Sequence, residues 1–213
     1  MADMKALSEF LQRGKAKEVK ELTQQAVAEG MKPEEILDQG LLAGMSIIGV
    51  KFKNNEVFVP EVLIAARAMN AGMAILKPLL VADNMVSRGT VVIGTVKGDL
   101  HDIGKNLVAM MMEGKGLTVI NLGTDVAPAR FVEAAIEHKA NIIACSALLT
   151  TTMREMENVV KAVKEANLDH SVKVMIGGAP VTESYKDKIG ADAYTPDAAT
   201  ASEVALQLCK DIA

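Results

Sequence analysis

The sequence predicts an α/β fold: a flavodoxin-like (Rossmann-like) domain with a five-stranded parallel sheet, preceded by an all-α helical bundle. Two observations carry this. From Gly89 onward, short apolar runs alternate with stretches of helical periodicity, which implies a parallel sheet with helices on both faces. Before residue 84 the chain shows helical periodicity and almost no strand signal. A third observation says where to look for function. Asp99-Leu100-His101-Asp102-Ile103-Gly104 follows an apolar run and precedes a helical one. It therefore sits at the carboxyl end of a strand, where open α/β sheets bind ligands.

In the first part, residues 1–84, Leu7, Phe10 and Leu11 share one helical face, and Val19, Leu22 and Ala26 share another. Pro33 followed by Glu34 and Glu35 marks a helix start, since proline tolerates the first turn and acids suit the N-terminal dipole. Ile36, Leu37, Gly40 and Leu41 continue that helix toward Phe52. Pro60-Glu61 starts another, with Val62, Leu63, Ala66, Met69 and Met73 as its inner stripe. Residues 82–89 read as a linker. In the second part, residues 85–213, strands are expected at 90–96, 117–121, 141–146, 172–177 and 192–194. Helices are expected at 104–115, 128–138, 152–167, 181–188 and 197–211.

Composition narrows the function. The chain has 213 residues, 50% hydrophobic and 23% charged, which suits a globular protein with a sizeable core. A net charge of −4 without a strongly basic stretch argues against nucleic acid as a partner. No window approaches 18 consecutive apolar residues, so no membrane-spanning helix is expected. Met1–Lys5 shows no secretory pattern. Cys145 and Cys209 form no metal or disulfide pattern, and Cys145, within Ile142-Ile143-Ala144-Cys145, reads as a small core residue. That usage fits a reducing cytoplasm.

Three features map onto the ligand-binding edge of the sheet. The first is the turn with Gly98, Asp99, His101 and Gly104, where the carboxylate can hold one imidazole nitrogen while the other binds a metal. The second is Ser146-Ala147-Leu148-Leu149-Thr150-Thr151-Thr152, just past the third strand. The third is Gly177-Gly178, just past the fourth. Small residues and hydroxyls leave room for a bulky ligand, and adjacent glycines allow close backbone approach. Singly, each is ordinary: a Gly-Gly is most often a turn, a Ser/Thr-rich strand end a helix cap, a lone histidine structural. Their joint placement points to a ligand.

Asp-x-His-x-x-Gly at 99–104, Ser-x-Leu at 146–148 and Gly-Gly at 177–178 resemble the signature of base-off, His-on cobalamin-binding domains. Forty-one residues separate Gly104 from Ser146 and 28 separate Leu148 from Gly177, spacings similar to that family's. Thr95 through Asn106 also resembles the cobalamin module of methionine synthase. Gly44-Met45, Gly49, Phe52 and Glu56 through Val62 resemble the helical cap of the same module. Stand-alone proteins of this two-domain form resemble the corrinoid subunits of three-component methyltransferase systems.

The resemblance implies roles. His101 would replace the cofactor's own base as the lower ligand of cobalt, a role imidazole suits. Asp99 would accept the proton-bearing nitrogen of His101, and Thr152 would continue the relay, as a threonine where the family carries a serine hydroxyl. Proton movement through these three would couple ligation to methylation state. Gly98, Ile103 and Gly104 would bind the cofactor beside His101, as would Asp102, which read from the sequence alone is a helix-end acid. Ser146, Gly177 and Gly178 would line the slot of the displaced nucleotide tail, and Leu148 and Thr150 would also bind the cofactor. Phe52, Val59 and Val62 would cover the methyl-bearing face; read from the bundle alone they are ordinary core. The implied cofactor is cobalamin or a related corrinoid. The implied partners are a substrate-specific methyltransferase (methanol, methylamine, methoxylated aromatic or betaine type), an acceptor methyltransferase acting on tetrahydrofolate or a thiol, and a reductive activase. Such a carrier is not expected to turn over alone. A cobalamin-sensing regulator and a mutase subunit share the lower-face motif. A regulator needs an output module, and a mutase pairs the motif with a large barrel for which 213 residues leave no space.

Overall fold

The computed structural model describes residues 2–82 and 88–212. By internal contacts the chain divides into two units, Met1–Val86 and Ser87–Ala213. The position of the 84/85 boundary and most of the expected 82–89 linker lie outside the described residues.

In the first unit, the Asp3 carboxylate caps α1 (Met4–Gln12) by accepting from the Lys5 and Ala6 N–H groups. α2 (Ala16–Ala28) follows. Pro33 opens α3 (Pro33–Ile36), which passes through a π-helical turn, Leu37–Leu42, into α4 (Ala43–Lys53). The sequence periodicity anticipates one plain helix here. The wider turn admits an extra residue, which a 3.6-residue repeat does not register. Gly40 lies in that turn because a Cβ there would overlap the Leu7 side chain, and one at Gly44 would lie 3.1 Å from Leu11 Cδ2 and from the Ser8 carbonyl. α1 can therefore press closely on this helix.

α5 (Val59–Ala82) completes the unit and packs mainly against α2. Its buried stripe is Val62, Ala65, Ala66, Ala68, Met69 and Leu76. Leu63, expected inside, is 42% exposed. It lies about 100° around the helix from Val62, away from the stripe's centre. The segment Val59–Leu80 also has the length and composition of a membrane span. Its apolarity serves the bundle: a Cβ at Gly72 would lie 2.9 Å from Leu41 and 3.3 Å from Thr23 Oγ1.

The second unit alternates β1 (Thr90–Thr95), α6 (Ile103–Glu113), β2 (Thr118–Asn121), α7 (Pro128–Glu137), β3 (Ile142–Ser146), α8 (Arg154–Glu165), β4 (Lys173–Gly177), α9 (Glu183–Ile189), β5 (Ala193–Tyr194) and α10 (Ala198–Ile212). These are the five strands and five helices the sequence predicts, with ends moved by at most two residues. All strands pair in parallel, in the order β2-β1-β3-β4-β5. Val91 and Ile93 of β1 enter the core formed with α6 and α10, around Met112, Ala205 and Cys209. Val92 enters the opposite core with Phe131 of α7 and Val159 of α8. That alternation is the two-residue strand period. The register pairs Thr95 with Ser146 and Ser146 with Gly177. The ends of β1, β3 and β4 thus lie side by side, and the order reverses at β1, where doubly wound sheets open a crevice.

Candidate functional site

Beyond β1 the chain turns at Gly98, whose φ of +79° favours glycine, and reaches Asp99, His101 and the start of α6. Asp99 is fully buried and is the hub of the site. Five donors converge on its carboxylate. Oδ1 accepts from the His101 backbone N–H at 3.1 Å and from His101 Nδ1 at 2.8 Å. Oδ2 accepts from the N–H groups of Leu148 and Leu149 at 2.8 and 3.1 Å, and from Thr152 Oγ1 at 2.8 Å. Burial opposes ionisation of this carboxyl. The hydrogen bonds from the His101 side chain and backbone, Leu148 and Thr152 outweigh it and hold the group well below the usual carboxylate range.

An ionised carboxylate only accepts, so His101 donates Nδ1–H and keeps its lone pair on Nε2. The imidazole is about half exposed, with a side-chain exposure of 51%. Leu100 and Ile103 beside it are 71% and 78% exposed, and Leu148 and Leu149 across the edge are exposed too. Apolar side chains left open around one free imidazole fit a flat ring that brings a metal with most of its ligands already in place.

Gly104 tests that fit. It occupies the first turn of α6, and a Cβ there would meet nothing within 4 Å. No neighbour in the fold requires glycine there, and the space above it is open. Gly178 is the opposite case: φ is +133° and a Cβ would overlap the Ala147 carbonyl oxygen. It lets the loops after β3 and β4 close on each other. Gly177 leaves a Cβ 3.4 Å from the Thr195 carbonyl. Ser146 is half-buried at the end of β3, Thr150 lies exposed in the following turn, and Thr152 is buried with its hydroxyl between Asp99 and the Leu149 carbonyl. Asp102 precedes α6 and accepts from Asn106 Nδ2 at 2.9 Å.

Gly98, Asp99, His101, Leu148 and Thr152 are thus brought together, with Asp102, Ile103 and Gly104 on the adjoining turn and Ser146, Gly177 and Gly178 at neighbouring strand ends. Phe52, Val59 and Val62 belong to the helical unit. Phe52 and Val59 are half-buried, Val62 is buried, and Phe58 is 63% exposed. Cys145 is a buried core residue, its thiol pushed up by burial.

Several supporting residues have no role assigned from the sequence. Buried Thr95 donates from Oγ1 to the His101 carbonyl at 2.9 Å. Buried Lys105 donates to Asn106 Oδ1 at 2.6 Å and to Asn121 Oδ1 at 2.7 Å, with burial drawing its pKa down and Asp102 partly offsetting this. Asp125 accepts from the Gly98 N–H at 2.7 Å. Thr95, Lys105 and Asn106 lie in the 95–106 string that the sequence singles out, whereas Asn121 and Asp125 lie outside every motif.

A family described as a B12 binding domain matches residues 89–205, and a second of the same description matches residues 4–77. Trimethylamine corrinoid protein 1 from Methanosarcina acetivorans is 47% identical over 176 residues, 82% of each chain. The dimethylamine corrinoid protein of Methanosarcina barkeri is 45% identical over 179 residues, 84% of each. A chain of the methanol:cobalamin methyltransferase complex MtaBC from Methanosarcina barkeri superposes with a TM-score of 0.87 at 28% identity, covering 96% of this chain and 78% of that one. A cobalamin-binding protein from Desulfitobacterium hafniense DCB-2 superposes with a TM-score of 0.80 at 29% identity, covering 98% and 99%.

Proposed function

This chain belongs to the B12-binding domain family, and we propose that it works as a methyl-carrying corrinoid protein. When bound, the corrinoid supplies a cobalt centre able to take up and release a methyl group. The chain's own part is to hold and tune that centre. The observation that carries this reading is the bond from His101 Nδ1 to the buried Asp99, which leaves the Nε2 lone pair on a half-exposed ring next to the open position at Gly104. In this reading His101 Nε2 would hold the cobalt, and Asp99 would fix the tautomer and raise the basicity of the imidazole. Thr152, Leu148 and Leu149 keep Asp99 ionised and immobile. Leu100, Ile103 and Leu148 offer apolar contact to the ring, and Ser146, Gly177 and Gly178 edge the slot for the nucleotide tail.

Names of the relatives favour a methylated amine as donor class. Donor choice rests with a partner methyltransferase, as the solved methanol:cobalamin complex suggests by pairing a similar chain with one. A second methyltransferase would then receive the methyl group, and a reductive activase would restore the cofactor.

The test is reconstitution with hydroxocobalamin of protein labelled with 15N-histidine. Electron paramagnetic resonance of the cobalt(II) form should show the doublet of a 15N ligand in place of the 14N triplet of the cofactor's own base. After chemical reduction of the bound cofactor to cobalt(I) with titanium(III) citrate, adding a methylamine-specific methyltransferase and its substrate should methylate it, while the reduced protein alone should not be methylated by the free amine. A persistent triplet would overturn the His-on reading, and efficient demethylation without a partner would overturn the carrier reading.

A further inference from the structure

The loop between β2 and α7 takes no part in the relay, yet it holds the histidine turn at Gly98 and Asp99. We propose that Asp125, in this loop, is a positioning residue for His101; the inference rests on the ligand role given to His101 above. Asp125 is exposed and adopts a φ of +55°, a left-handed conformation that aspartate and asparagine tolerate better than most residues. In that conformation both its hydrogen-bonding ends face the same turn. Its Oδ1 accepts from the Gly98 N–H at 2.7 Å, and its own N–H donates to the Asp99 carbonyl at 3.0 Å.

The flanking residues lock the loop to β1. Thr95 N–H donates to the Gly123 carbonyl and Val126 N–H to the Thr95 carbonyl, each at 3.0 Å, while Val96 and Val126 form a parallel bridge. On the far side, Asn121 Oδ1 accepts from Gly123 N–H and from Lys105 Nζ, and Lys105 reaches Asp102 through Asn106. His101 therefore hangs between two points: Gly98–Asp99 before it, held by Asp125 of the loop, and Asp102 after it, linked through Asn106 and Lys105 to Asn121 at the end of β2. A carboxylate on an exposed loop adds little to the core. Its geometric effect falls on the Gly98 turn, which sets how far the imidazole stands above the sheet.

Two substitutions separate conformation from hydrogen bonding. Asp125→Gly keeps the left-handed backbone and removes the acceptor; Asp125→Asn keeps both. Affinity for hydroxocobalamin and the 15N-histidine doublet are measured on the reconstituted full chain, and amide exchange at Gly98 on the apoprotein. Asp125→Gly is expected to weaken binding by about 3- to 10-fold, the size of one hydrogen bond, to reduce the doublet, and to speed exchange at Gly98. Asp125→Asn is expected to match wild type in all three. Asp125→Gly matching wild type in affinity and doublet would overturn the inference, as would Asp125→Asn failing as badly as Asp125→Gly. A wild type without the doublet would instead overturn the ligand role of His101 and any positioning toward it.

Discussion

Asp99→Asn is the most searching single change at this site, because it alters hydrogen-bond polarity with almost no change in shape. The carboxylate receives two donors on Oδ1 and three on Oδ2. An amide offers one acceptor oxygen and one donor group, so one side must be lost. With the amide oxygen in the Oδ2 place, Leu148, Leu149 and Thr152 keep their partner, and the NH2 faces His101. With the amide turned over, the N–H groups of Leu148 and Leu149 both lose theirs. Leaving one buried donor unpaired costs about 1–3 kcal/mol, so the first orientation wins. It leaves the His101 backbone N–H unpaired, which predicts a loss of about 1–3 kcal/mol in urea unfolding. It also makes His101 Nδ1 the acceptor and moves the ring proton to Nε2, onto the nitrogen we propose as the cobalt ligand. Hydroxocobalamin affinity should fall about 10- to 100-fold, the usual effect of losing a ligand's supporting partner, and the 15N-histidine doublet should shrink. Undiminished affinity and an intact doublet in Asp99→Asn would show that Asp99 does not set the tautomer.

The glycines give a contrast. Gly104→Ala should leave the apoprotein as stable as wild type or up to about 1 kcal/mol more so, as expected for alanine in a helix, yet weaken cobalamin binding; unfolding and titration of the same sample check both halves. Gly178→Ala should cost about 3 kcal/mol or more, from a left-handed φ and overlap with Ala147, and a near-normal urea midpoint would contradict the close approach. Acid stability follows from Asp99. Its folded-state pKa lies below the ordinary 3.8, so its stabilisation is complete above that value and drains away as pH falls from about 4 toward the lowered one. Asp99→Asn should therefore flatten stability against pH below about 4; an unchanged acid slope would refute the assignment.

The sheet was legible because its strands are short, continuous apolar runs separated by helical stretches, so even the two-residue β5 lay where expected. The relay was legible because Asp99, His101 and Gly104 crowd into one turn. Leu63 went to the wrong face because it adjoins the buried Val62 in an apolar stretch, about 100° off the stripe that Val62, Ala66 and Met69 do form, and the Ile36–Leu42 region hid its wider turn behind a pattern that either helix type satisfies. Asp125 and Asn121 were invisible for a different reason. Their partners, Gly98 and Lys105, are 27 and 16 residues away, and a polar residue in a loop or at a strand's last position carries no periodicity to announce it.

The donors on Asp99 also bear on how the chain matures. Those on Oδ2 come from residues 49, 50 and 53 positions further along, beyond a strand that pairs directly with the one preceding Asp99. Until β1 and β3 have found each other, the carboxylate has no fixed place and the imidazole no fixed tautomer. Such distant pairings form late, since chain entropy is lost before their contacts are gained. Cofactor loading would then act as an inspection step: a half-folded chain offers no competent ligand, and only a finished sheet is drawn further toward the native state by what it binds.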